Sequence, residues 1–201
     1  MIRTLAAALL AAAVAAPALA QTPPPPVRVR GTVEKLENAV MTVKSRDGGT
    51  LAVKLADDYK VAGVSKAKIG DIKQGTYIGT ATVGERNGAL VALEVHIFPE
   101  AMRGLGEGHY AWDLKADSKM TNANVATVTS VGKDQVLTVQ YKGGEQKILV
   151  APKTTVVVFS PADRKELKTG AHIFCTAQRA PDGSLTAARV NVGLHGITPP
   201  M

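Results

Sequence analysis

The chain repeats itself at an offset of 95 positions. Gly31-Thr32-Val33 falls on Ala126-Thr127-Val128, and Val61 falls on Val156. Ile72-Lys73-Gln74-Gly75 falls on Leu167-Lys168-Thr169-Gly170, and Ile78 on Ile173. Gly88-Ala89-Leu90-Val91-Ala92 falls on Gly183-Ser184-Leu185-Thr186-Ala187. The register slips by one only where Val40-Met41-Thr42-Val43 meets Val136-Leu137-Thr138-Val139, as a changed hairpin loop would cause. Self-similarity of this extent means two copies of one structural unit. The copies span 27–98 and 122–194.

Each copy reads as short strands. Val27, Val29 and Val33 alternate with Arg28, Arg30, Thr32 and Glu34, the period of a half-buried strand. Further strands are expected over 39–45, 50–55, 76–83 and 89–98. Asp47-Gly48-Gly49 and Asn87-Gly88 supply turns, answered by Gly143-Gly144 and Asp182-Gly183. Residues 64–73 lack strand alternation. Their counterpart, 160–168, suggests a short helix or 3-10 turn, with Ser160 as N-cap, Pro161 in the first turn and Gly170 as the stop. Three strands, a short helical piece and two strands is the order of an OB-type five-stranded barrel. The expected fold is therefore all-β: two tandem OB-like barrels, each with a short helix or 3-10 turn between strands 3 and 4. An SH3-like barrel is the alternative.

Residues 1–20 read as a secretory signal peptide: Arg3, an apolar run over 5–16, Pro17, then Ala18-Leu19-Ala20. Cleavage is expected at Ala20-Gln21, with a periplasmic or secreted product. Four prolines at 23–26 make a stiff tether over 21–26. No later stretch is apolar enough to span a bilayer. A single Cys excludes an internal disulfide or a multi-cysteine metal site.

The repeated turn and core residues (Gly31-Thr32-Val33, Met41-Thr42-Val43, Ile72-Lys73-Gln74-Gly75, Asn87-Gly88-Ala89-Leu90) resemble a bacterial family of exported, OB-like domains of unknown function. The resemblance covers both copies and implies a fold, without chemistry. Chains similar to this one, through the stretch from Met102 to His109, sometimes carry the label of a metal ABC transporter permease. The lack of a spanning segment after residue 20 conflicts with that label taken literally.

The segment 99–121 between the copies is long for an idle connection. It holds Met102, Leu105, Tyr110, Leu114 and Trp112, the only tryptophan. Such side chains suit a strap packed between the barrels. Tyr110, Trp112, Arg103 and Glu107 are its candidate ligand-binding residues. His96, Met102, His109 and Met120 lie in or beside it, and imidazole with thioether suits copper, with zinc a further possibility. Their spacing matches no compact ligand motif, and no cofactor is otherwise implied. His96 sits beside Glu94 on the expected outer face of its strand. The short segment 195–201 forms a tail.

Lys and Arg number 24 against 17 Asp and Glu, a formal charge of +7. The expected second and third strands carry almost no aromatics, which speaks against base stacking on nucleic acid. The charge fits an anionic envelope polymer or a protein partner. Cys175 is expected in the core, where a thiol is inert. No G-x-S-x-G, H-E-x-x-H or framed acid pair marks an enzyme. The expectation is a periplasmic, non-catalytic binding or adaptor protein, the alternative a copper-type metal-handling protein associated with transport.

Overall fold

The computed structural model describes residues 24–201. The expected signal peptide, 1–20, lies outside the described residues, as does 21–23 of the tether. Twelve strands follow one another: β1 (Val27–Glu37), β2 (Val40–Ser45), β3 (Thr50–Lys66), β4 (Tyr77–Arg86), β5 (Ala89–Ile97), β6 (Gly108–Ala111), β7 (Lys119–Val131), β8 (Asp134–Tyr141), β9 (Gly144–Val150), β10 (Thr155–Pro161), β11 (His172–Arg179) and β12 (Leu185–Gly193). Among the described residues the helical pieces are 3-10 turns at Ile69–Asp71, Glu100–Met102, Arg164–Glu166 and Leu194–Gly196. None is a helix long and apolar enough to cross a membrane.

Strands β1, β2, β3, β12 and β11 close a five-stranded mixed barrel. All its ladders are antiparallel except β12 on β3. Its interior is filled by Val29, Val33, Met41, Val43, Val53, Leu55, Ile173, Cys175 and Val190. The period-2 alternation of β1 sends Val29 and Val33 inward, as the sequence implies.

The other seven strands pack outside this barrel. Five of them, β4, β7, β8, β9 and β5, repeat its order of pairing. β5 and β9 meet in a parallel ladder of two residues, Leu90 on Ile148 and Val91 on Leu149. This second ring surrounds Ile78, Val95, Val125, Leu137, Val139 and Ile148. β6 lies along β7, and β10 bridges β3 and β5.

The barrel is not drawn from 27–98 alone. It takes β1–β3 from the first repeat and β11 and β12 from the second, while β4 and β5 join the first strands of the second repeat. The cause is the length of β3. It runs to Lys66 instead of ending near Leu55. Eleven further residues carry the chain on the order of 35 Å at ~3.3 Å per residue, out of the barrel and into the other ring. In the second repeat the counterpart of β3 is divided into β9 and β10, with Pro152 in the break. Val64 and Phe159, equivalent at the offset of 95, face each other where β3 and β10 run antiparallel. The two repeats thus exchange their last two strands about this pair.

Of the local expectations, the Asn87-Gly88 turn is as read, with φ of 53° and 73° at its two residues. The helical pieces are 3-10 turns. Ser160 and Pro161 end β10 instead of capping one, and Asp163 is the N-cap, accepting from the Lys165 N–H at 2.9 Å.

Candidate functional site

A third apolar cluster lies between the rings: Ala62, Val64, Tyr77, Phe98, Val157, Phe159, Phe174 and Met201. Met102 and Trp112 of the strap pack against it. Beside it opens a cavity of about 370 Å³. Part of its lining comes from β5 and β7, with His96, Met120 and Asn122, and part from β1, β11 and β12, with Arg28, Phe174, Thr176, Arg189 and Asn191. The strap covers it with Met102, Leu105, Tyr110 and Trp112.

The first wall is built around a missing side chain. Gly79 of β4 stands between His96 of β5 and Asn122 of β7 in the two adjoining ladders. A Cβ on Gly79 would lie 1.8 Å from His96 Nε2 and 2.4 Å from Asn122 Oδ1. Both side chains lean into the space that glycine leaves. Asn122 Nδ2 is turned to the strap, donating to Leu105 O at 3.2 Å and Gly106 O at 3.1 Å. Its Oδ1 is left without a partner.

His96 is fixed from behind. Glu94, two residues earlier on the same face, is buried to 1% exposure, and His96 to 4%. Glu94 Oε1 accepts from the Ala81 N–H at 3.0 Å, and Oε2 lies 3.1 Å from His96 Nδ1. A carboxylate can only accept, so Nδ1 carries the proton, and Nε2 is the nitrogen that lies over Gly79. Phe98 and Phe159 set their rings edge-on to the imidazole, at 4.9 and 5.4 Å between centroids. The face holding Glu94 and His96 does lie opposite Val95 and Ile97. It is nonetheless buried, with His96 packed against Phe98 and Phe159.

Trp112 anchors the strap. The Arg28 guanidinium lies 3.9 Å from the centre of its ring, and Phe174 meets it at 6.2 Å. The indole N–H is buried without a partner. The next residue, Asp113, accepts from both terminal nitrogens of Arg30 at 2.6 and 3.2 Å. Asp113 also lies 3.5 Å from Arg28. Burial pushes the Asp113 carboxyl up, but the Arg30 bonds and the two guanidinium charges hold it below its ordinary value.

Among the described residues, four buried side-chain polar atoms lack a hydrogen-bond partner: Trp112 Nε1, Asn122 Oδ1, Gln135 Oε1 and Asn191 Oδ1. Three of the four belong to residues lining this one cavity. Arg189 takes part in none of the ion pairs formed among the described residues. Its ladder partner on β3 is Lys60, so like charge stands beside it.

Of the ligand candidates read from sequence, Tyr110 and Trp112 line the cavity, and Arg103 and Glu107 do not. Arg103 pairs with Glu100 at 2.6 Å and donates to Gly75 O and Asn124 Oδ1. Glu107 accepts from the Lys142 N–H at 2.9 Å. Both staple the strap to its neighbours. Of the metal candidates, His96, Met102 and Met120 line the cavity. His109 points to the other side of β6, with Nδ1 2.8 Å from Thr121 Oγ1 and its ring beside Tyr141. Among the described residues no three His, Cys, Asp or Glu side chains gather as a metal group.

Sequence reasoning missed Arg28, Gly79, Asn122, Arg189 and Asn191. The repeat held a signal for two of them. At the offset of 95, Glu94 answers Arg189 and His96 answers Asn191. The symmetric positions carry different polar groups; His96, Arg189 and Asn191 line the cavity, and Glu94 stands behind His96.

No family model matches the chain, and comparisons with curated proteins and with solved structures return no match. The fold and site define an all-β protein with a closed five-stranded barrel, seven strands outside it, and a strapped cavity at the seam.

Proposed function

We propose that this is an exported, non-catalytic binding protein whose ligand is a small molecule held in the seam cavity. The observation that carries the reading is that three residues lining one apolar cavity, Trp112, Asn122 and Asn191, each hold a buried polar atom without a partner. Buried polar atoms are nearly always hydrogen-bonded, so such a group is suited to a ligand. A volume of about 370 Å³ is within the range of small-molecule sites, and apolar walls with a few convergent polar groups are their usual make-up. We also read the barrel as OB-type, on its ring order and the 3-10 turn at Arg164–Glu166 that precedes β11. Export follows from residues 1–20 as read from sequence.

The test is titration with 1-anilinonaphthalene-8-sulfonate, an anionic aromatic probe. The expected result is saturable binding at one site per chain, weakened at least roughly ten-fold by Trp112→Ala, since truncating a buried aromatic anchor commonly costs over 1 kcal/mol. Circular dichroism checks that the variant is folded. Non-saturable binding, or a folded Trp112→Ala variant that binds equally well, would remove the basis for the proposal.

A second reading, copper handling, is favoured by one observation. His96, Met102 and Met120 line the same cavity, and Glu94 orients the imidazole from behind as outer carboxylates do for metal-binding histidines. Native mass spectrometry after Cu(I) addition tests it. A one-to-one adduct lost in Met120→Leu supports it, and no adduct removes it.

A further inference from the structure

We propose a second binding site, beside the seam cavity, that holds the phosphate group of a small polar molecule. It is a cationic pocket of about 640 Å³ built from β1, the turn after β2 and the strap. It shares Arg28 with the seam cavity and no other residue. The proposal goes beyond the reading above and does not depend on it.

The pocket begins with the alternation of β1. Val29 points into the barrel, so Arg28 and Arg30 on either side of it lie on the outer face. Gly31 pairs with Ser45 of β2, and the Arg46 N–H donates to Arg30 O at 2.9 Å. The pairing thus runs one step past the end of β2 and sets Arg46 opposite Arg30. Like charges directly opposite each other are destabilising. The strap contributes Asp113, Leu114 and Lys115, and Asp47 and Leu93 complete the lining.

Four cations here meet two carboxylates, and the carboxylates are shared unevenly. Asp113 accepts from both terminal nitrogens of Arg30, whose Nε also donates to Met201 O at 2.7 Å. Arg28 is left with Asp113 at 3.5 Å and the Trp112 ring at 3.9 Å, although only 26% of its side chain is exposed. Arg46 and Lys115 take part in none of the ion pairs formed among the described residues, and neither does Asp47. Arg28, Arg46 and Lys115 against Asp47 alone leave a surplus of two positive charges. A phosphate monoester carries close to two negative ones at neutral pH.

The donor set favours phosphate over carboxylate. The three cations stand on three segments, and a tetrahedral phosphate offers three terminal oxygens in different directions. Guanidinium groups bind such oxygens through paired N–H donors, and an ammonium adds a point charge. The pocket is larger than a phosphate group, and its only apolar lining residues are Leu93 and Leu114. The rest of the ligand is therefore small and polar, on the scale of a sugar.

Isothermal titration calorimetry with glucose 6-phosphate, glucuronate and glucose tests this at constant ionic strength. Glucose 6-phosphate is expected to bind at one site per chain, roughly ten-fold more tightly than glucuronate, with no binding of glucose. Arg46→Gln and Lys115→Gln should each weaken it roughly ten-fold, because each removes one charged donor. Both residues are exposed, and thermal melts confirm that the variants fold. Lys153→Gln, an exposed lysine outside the pocket, makes the same change in net charge and should leave binding unchanged. No binding of glucose 6-phosphate, equal binding of glucuronate, or equal losses in all three variants would overturn the phosphate site. Sedimentation with phosphatidylcholine vesicles, with and without phosphatidate, identifies the source. A chain that stays in the supernatant supports a soluble ligand. Pelleting that needs both phosphatidate and Arg46 overturns the soluble ligand in favour of a lipid headgroup. Neither result bears on the seam cavity, which Arg46 and Lys115 do not line.

Discussion

His96 Nε2 and Asn122 Oδ1 converge from two different strands on the space above Gly79, each within 2.4 Å of where a Cβ would stand. The glycine is there for this approach. Its backbone conformation is ordinary, so any residue could adopt it, and only the neighbours forbid one. Gly79→Ala is therefore expected to cost about 1–3 kcal/mol, the usual penalty for overpacking a closed site. It should also abolish binding in the cavity. Urea unfolding measures the first effect. Gly70→Ala is the control, since a Cβ there meets nothing within 4 Å and should leave stability unchanged.

Glu94 is the second place where a single atom decides the outcome. Its carboxylate accepts from the Ala81 N–H and from His96 Nδ1 in a buried setting. Glu94→Ala leaves two donors without partners and is expected to cost about 3 kcal/mol, as breaking a buried pair does. Glu94→Gln keeps one acceptor oxygen and should cost about 1 kcal/mol. Equal losses for the two variants in chemical denaturation would mean that packing, and not hydrogen bonding, holds the pair.

The fold was legible where local chemistry decides it. The valine alternation of β1, the Asn87-Gly88 turn and the repeat itself announced small β-units. Strand exchange was not legible, because the residues that cause it are the extra length of β3. Val61 to Val64 is a continuous buried run with no alternation, since Val61 faces the barrel interior while Ala62 and Val64 face the seam. A strand covered on both sides loses the period that identifies it. The site was half legible for the same reason. Tyr110, Trp112, Met102 and Met120 stood out as apolar residues in an irregular segment. Asn191 and Arg189 lie far along the chain and reach the cavity only through the exchanged strands.

The strap is held at Asp113, and its pH response has a definite sign. The folded carboxyl is depressed below its ordinary value of 3.8. A depressed acid adds stability above its unfolded pKa and loses it as pH falls through the lower, folded value. Asp113→Asn should therefore be less stable than the parent at neutral pH, by roughly 1 kcal/mol or less for so exposed a pair. The difference should shrink below about pH 4, where the unfolded carboxyl takes up its proton. Parallel thermal melts from pH 7 to pH 2 measure this. A gap that stays constant with pH would exclude the Arg30–Asp113 pair as its source.

Cys175 is closed off inside the barrel, and burial pushes its thiol up to about 12. It is expected to resist a thiol reagent such as 5,5′-dithiobis(2-nitrobenzoate) at pH 8 in the native protein, and to react at once in denaturant. Because the folded pKa is raised, the barrel should also lose stability above the ordinary thiol value, as the unfolded chain ionises first. Rapid native labelling would show that the β11–β12 edge opens far more often than the rest of the barrel.

The exchange of strands makes its own prediction about dissection. A chain of residues 24–98 holds β1–β3 and β4–β5, yet in the intact protein these belong to different rings. The unbroken run of β3 carries β4 and β5 into the other ring, so the segment is not expected to close a barrel as a monomer. Two such segments could close both rings by lending each other β4 and β5, with Val64 meeting its own copy where Phe159 now stands. The expected product is therefore a dimer, or an unfolded chain below the dimer's dissociation constant. Light scattering after size-exclusion chromatography decides this. Shortening β3 by deleting 56–63 should move the segment toward a monomer, because it removes the spacer that carries β4 away. A folded monomer of the unshortened segment would mean that the exchange is not built into β3.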